Sequence, residues 1–233
     1  MAVNIIRRLI VDRITINIGL GSKDLYNHVY GQLYSLEEEQ SKVLPEGKIK
    51  VWKEKYVTRL DYYAAYTHKR AGRRKIACIA VGAGHKHKHL SLTLFPSQFK
   101  TGDFEHFKFV FDMMFYPLSY AALHESGSVT YLELASDTLS QQHLSFLPYR
   151  KRVSKSRIYK DAKGKLGTSY VGSPTSNLMF RLYDKRRQLL EQKKPLITDK
   201  PVHTRIEAAM RRLKTSPANL IQMKNPFDRL MIA

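Results

Sequence analysis

The chain has 233 residues and carries 40 Lys and Arg against 20 Asp and Glu, a formal net charge of +20. This excess of positive charge favours a polyanionic partner, with nucleic acid ahead of an acidic membrane surface; a protein that merely coats RNA is the alternative from charge alone. The single cysteine, Cys78, excludes an internal disulfide framework and a cysteine-based zinc site. No segment approaches the roughly 18 apolar residues of a membrane span, so we expect a cytoplasmic protein without membrane contact.

The first half of the sequence predicts strands and two long helices. Residues 11–18 alternate apolar and polar side chains and predict a strand, with Asp12 on the face of its isoleucines. We expect Asp12 either to cap the strand end or to belong to a site. A helix follows from Lys23, then a β meander, and then one long helix over 104–122.

A short histidine-rich segment, GHKHKHL, lies between two of these strands. His85, His87 and His89 alternate onto one face, which is able to chelate a divalent metal. The segment resembles the histidine–hydrophobic–histidine motif of one class of DNA-nicking enzymes, but a lysine stands where that motif has an apolar residue. A solvated strand that faces phosphate is therefore the favoured interpretation.

Two acidic side chains mark the strand after the long helix. Glu133 and Asp137 share one face with the small Ala135 between them, while leucines occupy the other face. This spacing leaves room for a hydrated cation, and carboxylate oxygens suit Mg²⁺ or Mn²⁺ better than zinc. Acids on exposed strands are common, so this pattern alone is a weak signal.

A strongly basic segment follows the acidic strand. It has eight cations against one acid, Asp161, and it ends in a glycine turn signal. We predict a mobile basic β-ribbon or loop that grips the DNA backbone, with a solvated linker as the alternative. The eight cations are Arg150, Lys151, Arg152, Lys155, Arg157, Lys160, Lys163 and Lys165.

Residues 167–185 predict a β-hairpin whose second strand presents one tyrosine between two cations. Counting by twos, Arg181, Tyr183 and Lys185 share one face, and an apolar face lies behind them. A phenol between a guanidinium and an ammonium suits attack on a phosphate, although simple stacking under the cations is also consistent with this pattern. Tyr170 on the adjacent strand is the competing phenol.

The pattern as a whole predicts an α+β fold with an antiparallel β-sheet core flanked by helices. A last strand carries Arg205 and Glu207 on one face. Both halves of the chain run three strands and then a helix, with no linker between them. We therefore predict a single domain over 1–233, with an internal duplication of a βββα-type unit and packed halves 1–125 and 126–233 as the alternative organisation.

Three segments resemble, in order and spacing, motifs of the replication initiation factor (Rep_trans) family. This family contains rolling-circle initiators of small plasmids, relatives in filamentous phages, and relaxases of some conjugative elements. The segments are TYLELASD at 130–137, GTSYVGSPTSNLMFRLYDK at 167–185 and TRIEAAM at 204–210. The match covers nearly the whole chain and the hairpin motif is specific. Two residues depart from the pattern: Tyr131 replaces an arginine, and Glu133 replaces an aspartate but keeps the carboxylate.

The resemblance implies metal-dependent nicking and joining of single-stranded or extruded origin DNA. Tyr183 would be the nucleophile, forming a 5′-phosphotyrosine and leaving a 3′-OH, with cations beside it that favour the phenolate and neutralise the developing charge. The catalytic set that it implies is Tyr183, Lys185, Arg181 and Arg205. The carboxylates that it implies for Mg²⁺ or Mn²⁺ are Glu133, Asp137 and Glu207, with Asp12 as a fourth candidate.

Two other functions fit the same motifs. One is a relaxase of a conjugative element with the same chemistry, and the other is a regulator that binds a DNA site without cutting it. The carboxylates favour an enzyme, because a pure DNA binder has no need to hold acids facing phosphate. A host helicase and a second copy of the chain are further expected partners.

Overall fold

The structure is a computed structural model of the chain. It describes residues 9–38, 43–44, 47–54, 57–64, 75–82, 89–139, 148–149, 155–160, 166–229 and 231–232. The strands are β1 (Leu9–Gly19), β2 (Val43–Leu44), β3 (Gly47–Glu54), β4 (Val57–Ala64), β5 (Lys75–Gly82), β6 (His89–Leu94), β7 (Ser128–Thr138), β8 (Pro148–Tyr149), β9 (Ser156–Lys160), β10 (Leu166–Val171), β11 (Leu178–Asp184), β12 (Thr204–Thr215) and β13 (Met231–Ile232). The α-helices are α1 (Lys23–Glu38), α2 (Asp103–Phe115), α3 (Tyr120–Ser126) and α4 (Lys185–Glu191).

The chain divides into two compact units. The N-terminal unit comprises residues 12–131 and 213–222, and the C-terminal unit comprises residues 1–11, 132–212 and 223–233. Within the described residues, no helix combines the length and the apolar character that a membrane crossing needs. The predicted duplication into halves stays a prediction.

The N-terminal unit is an antiparallel sheet with strand order β2-β3-β4-β5-β6-β1 and helices α1, α2 and α3. The alternation predicted for β1 buries Ile14 and Ile16, which pair with Leu94 and Leu92 of β6. Directly paired residues share one face of a sheet, so this face carries the apolar core.

The single helix predicted over 104–122 is two helices in the structure. α2 ends at Phe115 and α3 begins at Tyr120. Pro117 accounts for the break, because the residue before a proline is driven out of the helical region; Tyr116 has an extended ψ of 132°. The aromatic core survives the break, since the ring of Tyr120 packs edge-on against rings of α2.

The C-terminal unit contains an antiparallel sheet with strand order β7-β12-β11-β10-β9. Its apolar face includes Phe180 paired with Ala208 and Leu182 paired with Ile206, all buried. Since neighbouring residues along a strand point to opposite faces, the other face of the same strands carries the polar side chains. The antiparallel sheets with their helices confirm the predicted α+β fold.

Candidate active site

A tight turn between β10 and β11 sets the register of the predicted hairpin. Gly172 has a φ of +100°, and a Cβ on it would lie 2.9 Å from Leu178 O, so glycine alone avoids both strain and clash. The Ser176 hydroxyl lies 2.7 Å from Ser173 O and 2.8 Å from Leu178 O. The G-S-x-x-S part of the hairpin motif therefore builds the turn that joins the two strands.

Strand pairing gathers four polar side chains on one face. In the β11–β12 register Arg181 lies opposite Glu207, and Tyr183 lies opposite Arg205. Opposed residues in an antiparallel pair share a face with Cβ atoms about 5 Å apart. Arg181 and Tyr183 therefore share a face, as predicted, and the same face includes Arg205 and Glu207 of the third sequence motif.

The Tyr183 phenol has a carboxylate acceptor and an ammonium neighbour. Its Oη donates to Glu207 Oε1 at 2.6 Å, and Lys185 Nζ lies 3.5 Å from the same Oη. Lys185 was expected to continue the strand face, but it is the first residue of α4, because Asp184 caps that helix by accepting from the backbone of Arg187. The lysine reaches the phenol from the helix instead.

The environment of Tyr183 raises the pKa of its phenol above the usual value. Burial is the largest cause, followed by the negative charge of Glu207 and its hydrogen bond; the charges of Arg205 and Arg181 oppose the shift without cancelling it. The sequence reasoning expected neighbouring cations to favour phenolate, but burial and Glu207 outweigh them. The phenol is thus neutral at physiological pH and needs a base to become a nucleophile.

Two buried glutamates are held together by one guanidinium. Arg181 forms ion pairs with Glu133 Oε1 and, at 2.7 Å, with Glu207 Oε2. Both glutamates are buried, at 8% and 4% exposure, while the Arg181 side chain is 29% exposed. Two close carboxylates that already share a positive charge offer the oxygen ligands that Mg²⁺ or Mn²⁺ prefers.

Asp137 is engaged by cations of β12 and the segment before it. Arg205 donates to it through two nitrogens, Nε to Oδ1 at 2.7 Å and an Nη to Oδ2 at 2.8 Å, and His203 Nε2 lies 3.2 Å from Oδ2. Burial raises the pKa of this carboxyl, but the hydrogen bonds and charges of Arg205 and His203 outweigh burial and lower it well below the usual range. In the structure Asp137 is therefore paired with Arg205 and His203, whereas the family resemblance implied that it binds a metal ion.

We expect Asp137→Asn to lower the free energy of unfolding by about 3–5 kcal/mol at neutral pH, because the buried Arg205 guanidinium loses the carboxylate that accepts two of its hydrogen bonds. A carboxyl whose pKa is lowered by folding stabilises the protein above its unfolded pKa, near 3.8, and loses that contribution as pH falls. The difference in free energy of unfolding between the variant and the wild type should therefore decrease below about pH 4. Urea unfolding across this range measures it.

The exposed Asp199 offers a matched control for this experiment. Asp199→Asn makes the same chemical change at an exposed site and should shift the free energy of unfolding by less than about 0.5 kcal/mol. A deficit in the free energy of unfolding that stays constant down to acidic pH would contradict the proposed contribution of this ion pair to stability.

The polar face opens into a cavity of about 520 Å³ within the C-terminal unit. Tyr183, Glu133 and Glu207 are among its lining residues. Its lining also includes the cations Lys160, Arg181, Lys185, Arg187 and Lys194. The cavity is thus large enough to hold a phosphate with attached sugar, and its wall presents these cations together with the phenol and the carboxylates.

The remaining predicted residues fall in several places. Asp12 is half-buried on β1, and His89 is half-buried at the start of β6. Lys155, Arg157 and Lys160 are exposed on or next to β9, which pairs with β10 as the predicted ribbon requires. The other predicted cations and histidines lie outside the described residues: Arg150, Lys151, Arg152, Lys163, Lys165, His85 and His87.

Sequence reasoning missed two residues of the site. His203 has the same parity as Arg205 and Glu207, so counting by twos back from the third motif would have found it. Gln188, whose Oε1 accepts from Lys185 Nζ at 2.8 Å, lies one helical turn after that lysine. The sequence spacing of three residues identifies Gln188 as a neighbour of Lys185 only if the helix is known to start at Lys185.

Comparisons with known proteins add little to this description. No family model matches the chain, and no curated protein matches it. Among solved structures, the chain is similar to a rolling circle replication initiator protein from Geobacillus stearothermophilus, with 15% identity and a TM-score of 0.44, over 89% of this chain and 75% of that chain. A similarity this low supports no inference about activity, so the function has to be inferred from the chain's own residues.

Proposed function

We propose that the chain initiates rolling-circle replication by nicking and rejoining origin DNA through a covalent bond between Tyr183 and a 5′ phosphate. The observation that carries this proposal is the 2.6 Å hydrogen bond from the Tyr183 phenol to Glu207 at the wall of an open, cation-lined cavity. Any buried tyrosine hydroxyl needs an acceptor, but here the acceptor is a carboxylate, and both groups line a cavity that also exposes several cations. A nucleophile and an adjacent base within hydrogen-bond reach are the signature of covalent catalysis.

The chemistry is a transesterification in which Glu207 handles the proton. As Tyr183 Oη attacks the phosphorus, its proton passes to Glu207, the new O–P bond forms, and the bond from phosphorus to the 3′ oxygen breaks. The leaving 3′ oxygen takes a proton from solvent and becomes a free 3′-OH. Joining is the reverse reaction: a 3′-OH gives its proton to solvent as its oxygen attacks the phosphorus. The bond from phosphorus to Tyr183 Oη breaks, and protonated Glu207 returns its proton to the departing phenolate.

Cations of the site stabilise the charge that builds on the phosphate. Lys185 Nζ lies 3.5 Å from the attacking oxygen, and Arg205 lies opposite Tyr183 in the sheet register. Fixed cations aimed at developing charge are among the largest contributions to phosphoryl transfer. In this proposal Asp137 keeps Arg205 in place through its two hydrogen bonds, and it acts as a positioning residue.

Glu133 and Glu207 are the residues that we propose for a divalent cation. Their carboxylates are buried and both lie within ion-pair distance of the Arg181 guanidinium, so their oxygens are close enough to share one cation. A Mg²⁺ or Mn²⁺ ion bound there would polarise the scissile phosphate as a Lewis acid. Asp12 is the further metal ligand that the family resemblance suggests.

The exposed cations of β9 and the residue before it are proposed to hold the DNA backbone. Replacing Lys155, Arg157 and Lys160 together with glutamine should reduce the slope of log affinity against log salt concentration by about 2 for single-stranded DNA, because each phosphate contact contributes about 0.7. Fluorescence anisotropy over a range of salt concentrations measures this slope.

A triple variant with the same loss of charge provides the control. Lys23, Lys100 and Lys108 are exposed residues of the N-terminal unit, and their replacement with glutamine should leave the slope unchanged if only the β9 cations meet phosphate. Equal slopes for the two triple variants and the wild type would contradict the assignment.

The direct test of the proposed function is transfer of a DNA label to the protein. Single-stranded DNA of randomised sequence is incubated with the protein and Mn²⁺ and then boiled in detergent. Because Tyr183 is proposed to keep the 5′ phosphate, a label at the 3′ end should move with the protein, whereas a label at the 5′ end should appear on a free fragment ending in 3′-OH. Sequencing the attached DNA would identify the origin.

The same experiment separates DNA nicking from DNA binding alone. A DNA-binding regulator would retain labelled DNA on native gels and lose all of it on boiling, which would overturn the proposal. Label that stays with the protein only when placed at the 5′ end would also overturn it, since that polarity requires a 3′-phosphotyrosine. A relaxase shares the predicted polarity, so the adduct supports the chemistry that both functions have in common.

A further inference from the structure

Two aromatic rings lie at the outer strands of the C-terminal sheet. Tyr159 on β9 is 52% exposed, and its ring meets that of Tyr170 on β10 edge-on, with centroids 5.4 Å apart and planes at 75°. Both side chains line the cavity that contains the Tyr183 phenol. The contact with Tyr170 leaves about half of the Tyr159 side chain exposed beside the open cavity.

The strand register places these rings in line with the proposed nucleophile. Thr168 of β10 pairs with Tyr183 on one side and with Tyr159 on the other, so the three residues form one row on a single face. Neighbouring strands lie about 4.8 Å apart, which puts the backbones of Tyr159 and Tyr183 about 10 Å apart. The small threonine between them leaves open the space above the row.

A second row places cations on both sides of the Tyr170 ring. Tyr170 pairs with Arg181 of β11 and with Arg157 of β9. Aromatic rings interleaved with cations along a groove are the pattern by which proteins hold single-stranded nucleic acid, because cations follow the backbone and rings stack on bases. Duplex DNA keeps its bases stacked inside, so it has no free base to offer these rings.

We propose that Tyr159 and Tyr170 form a base-stacking subsite for an unpaired nucleobase next to the phosphate that Tyr183 attacks. This inference rests on the proposed function of the same cavity. Stacking is tolerant of base identity, since every base has a flat face. The subsite therefore selects unpaired over paired DNA, and it does not read sequence.

The test measures affinity for oligothymidylate and for the same deoxyribose-phosphate chain without bases, by fluorescence anisotropy in the presence of EDTA. Tyr159→Ala should weaken binding of oligothymidylate about tenfold. Tyr159→Phe keeps the ring and should stay within about twofold of wild type. On the baseless chain all three proteins should bind equally, because there is nothing to stack.

Phe109 provides the matched control, since its ring is 64% exposed on α2 and Phe109→Ala should bind both probes like wild type. Two results would overturn the subsite: unchanged oligothymidylate affinity in Tyr159→Ala, or an equal loss of affinity for the baseless chain. Neither readout depends on cleavage. Absence of the covalent adduct would therefore contradict the proposed nicking reaction. The binding measurements would still test the stacking subsite independently.

Discussion

Tyr183→Phe is expected to abolish the covalent protein–DNA adduct, with the rate of label transfer reduced by at least about 10³-fold. Phenylalanine keeps the ring in its place on β11 and removes only the oxygen that would attack phosphorus. Loss of a nucleophile typically removes nearly all the catalysis that depends on the covalent intermediate. The measurement is the appearance of 3′-labelled DNA on the protein over time in the presence of Mn²⁺.

The same variant should fold and should bind DNA. It deprives the buried Glu207 Oε1 of its phenol donor, which costs about 1–3 kcal/mol, while Arg181 still pairs with Oε2. A modest fall in melting temperature with unchanged affinity for single-stranded DNA is thus the expected background. Circular dichroism and anisotropy on the same preparation check both.

Tyr170→Phe is the matched control for this prediction. Tyr170 lies on the neighbouring strand and lines the same cavity, but its phenol is not the proposed nucleophile, so its adduct should form at nearly the wild-type rate. An undiminished adduct in Tyr183→Phe would overturn the assignment, and loss of the adduct in Tyr170→Phe alone would move the nucleophile to β10.

Local sequence patterns predicted the parts of the site that depend on strand alternation. Parity along one strand is enough to put Arg181 and Tyr183 on a common face, and the structure has them there. The hairpin over 167–185 was also predicted, and the structure adds that only glycine suits the conformation of residue 172. The overall α+β class followed from the same patterns.

Other parts of the site depend on pairing between distant segments, which no local pattern reveals. Asp137 meets Arg205 across 68 positions of sequence, and the choice between metal ligand and ion-pair partner rests on which strand lies beside β7. Lys185 was placed on the strand because its parity fits, but the cap provided by Asp184 starts a helix at that point.

The direction of the pKa shift of Tyr183 could not be predicted from composition. The sequence shows cations on either side of the tyrosine, which alone would lower the pKa of the phenol. Burial and the carboxylate of Glu207 raise it instead, and both arise only when β11 and β12 pair. In the structure Tyr183 is therefore a neutral phenol that needs a base, whereas the sequence suggested a phenolate.

Glu207→Gln is expected to slow adduct formation by about 10²–10⁴-fold at neutral pH, the range typical for loss of a general base. Glutamine has nearly the same shape and hydrogen-bonding reach but cannot accept the phenol proton as a carboxylate can. The single-turnover rate of label transfer at saturating protein measures the effect. Glu191→Gln, which changes an exposed carboxylate at the same cavity, should stay within about twofold.

The pH dependence of the Glu207→Gln rate distinguishes a base from a residue that only shapes the site. Because the charge and hydrogen bond of Glu207 raise the pKa of Tyr183, removing them should lower that pKa towards its usual value near 10. With no internal base, the variant then depends on hydroxide, so its rate should rise about tenfold per pH unit below that pKa. The rate deficit against wild type should accordingly shrink in alkaline solution.

A second outcome would assign Glu207 to metal binding alone. In that case higher Mn²⁺ concentrations should restore the rate of Glu207→Gln at neutral pH, and the variant should keep the pH profile of the wild type. Partial recovery by Mn²⁺ together with the alkaline rise would mean that the carboxylate serves both purposes, through the two oxygens that the structure already divides between Tyr183 and Arg181. A neutral-pH rate within about threefold of wild type at the Mn²⁺ concentration of the standard assay would contradict both roles, because a base or a ligand lost from the reacting centre costs at least about 10²-fold.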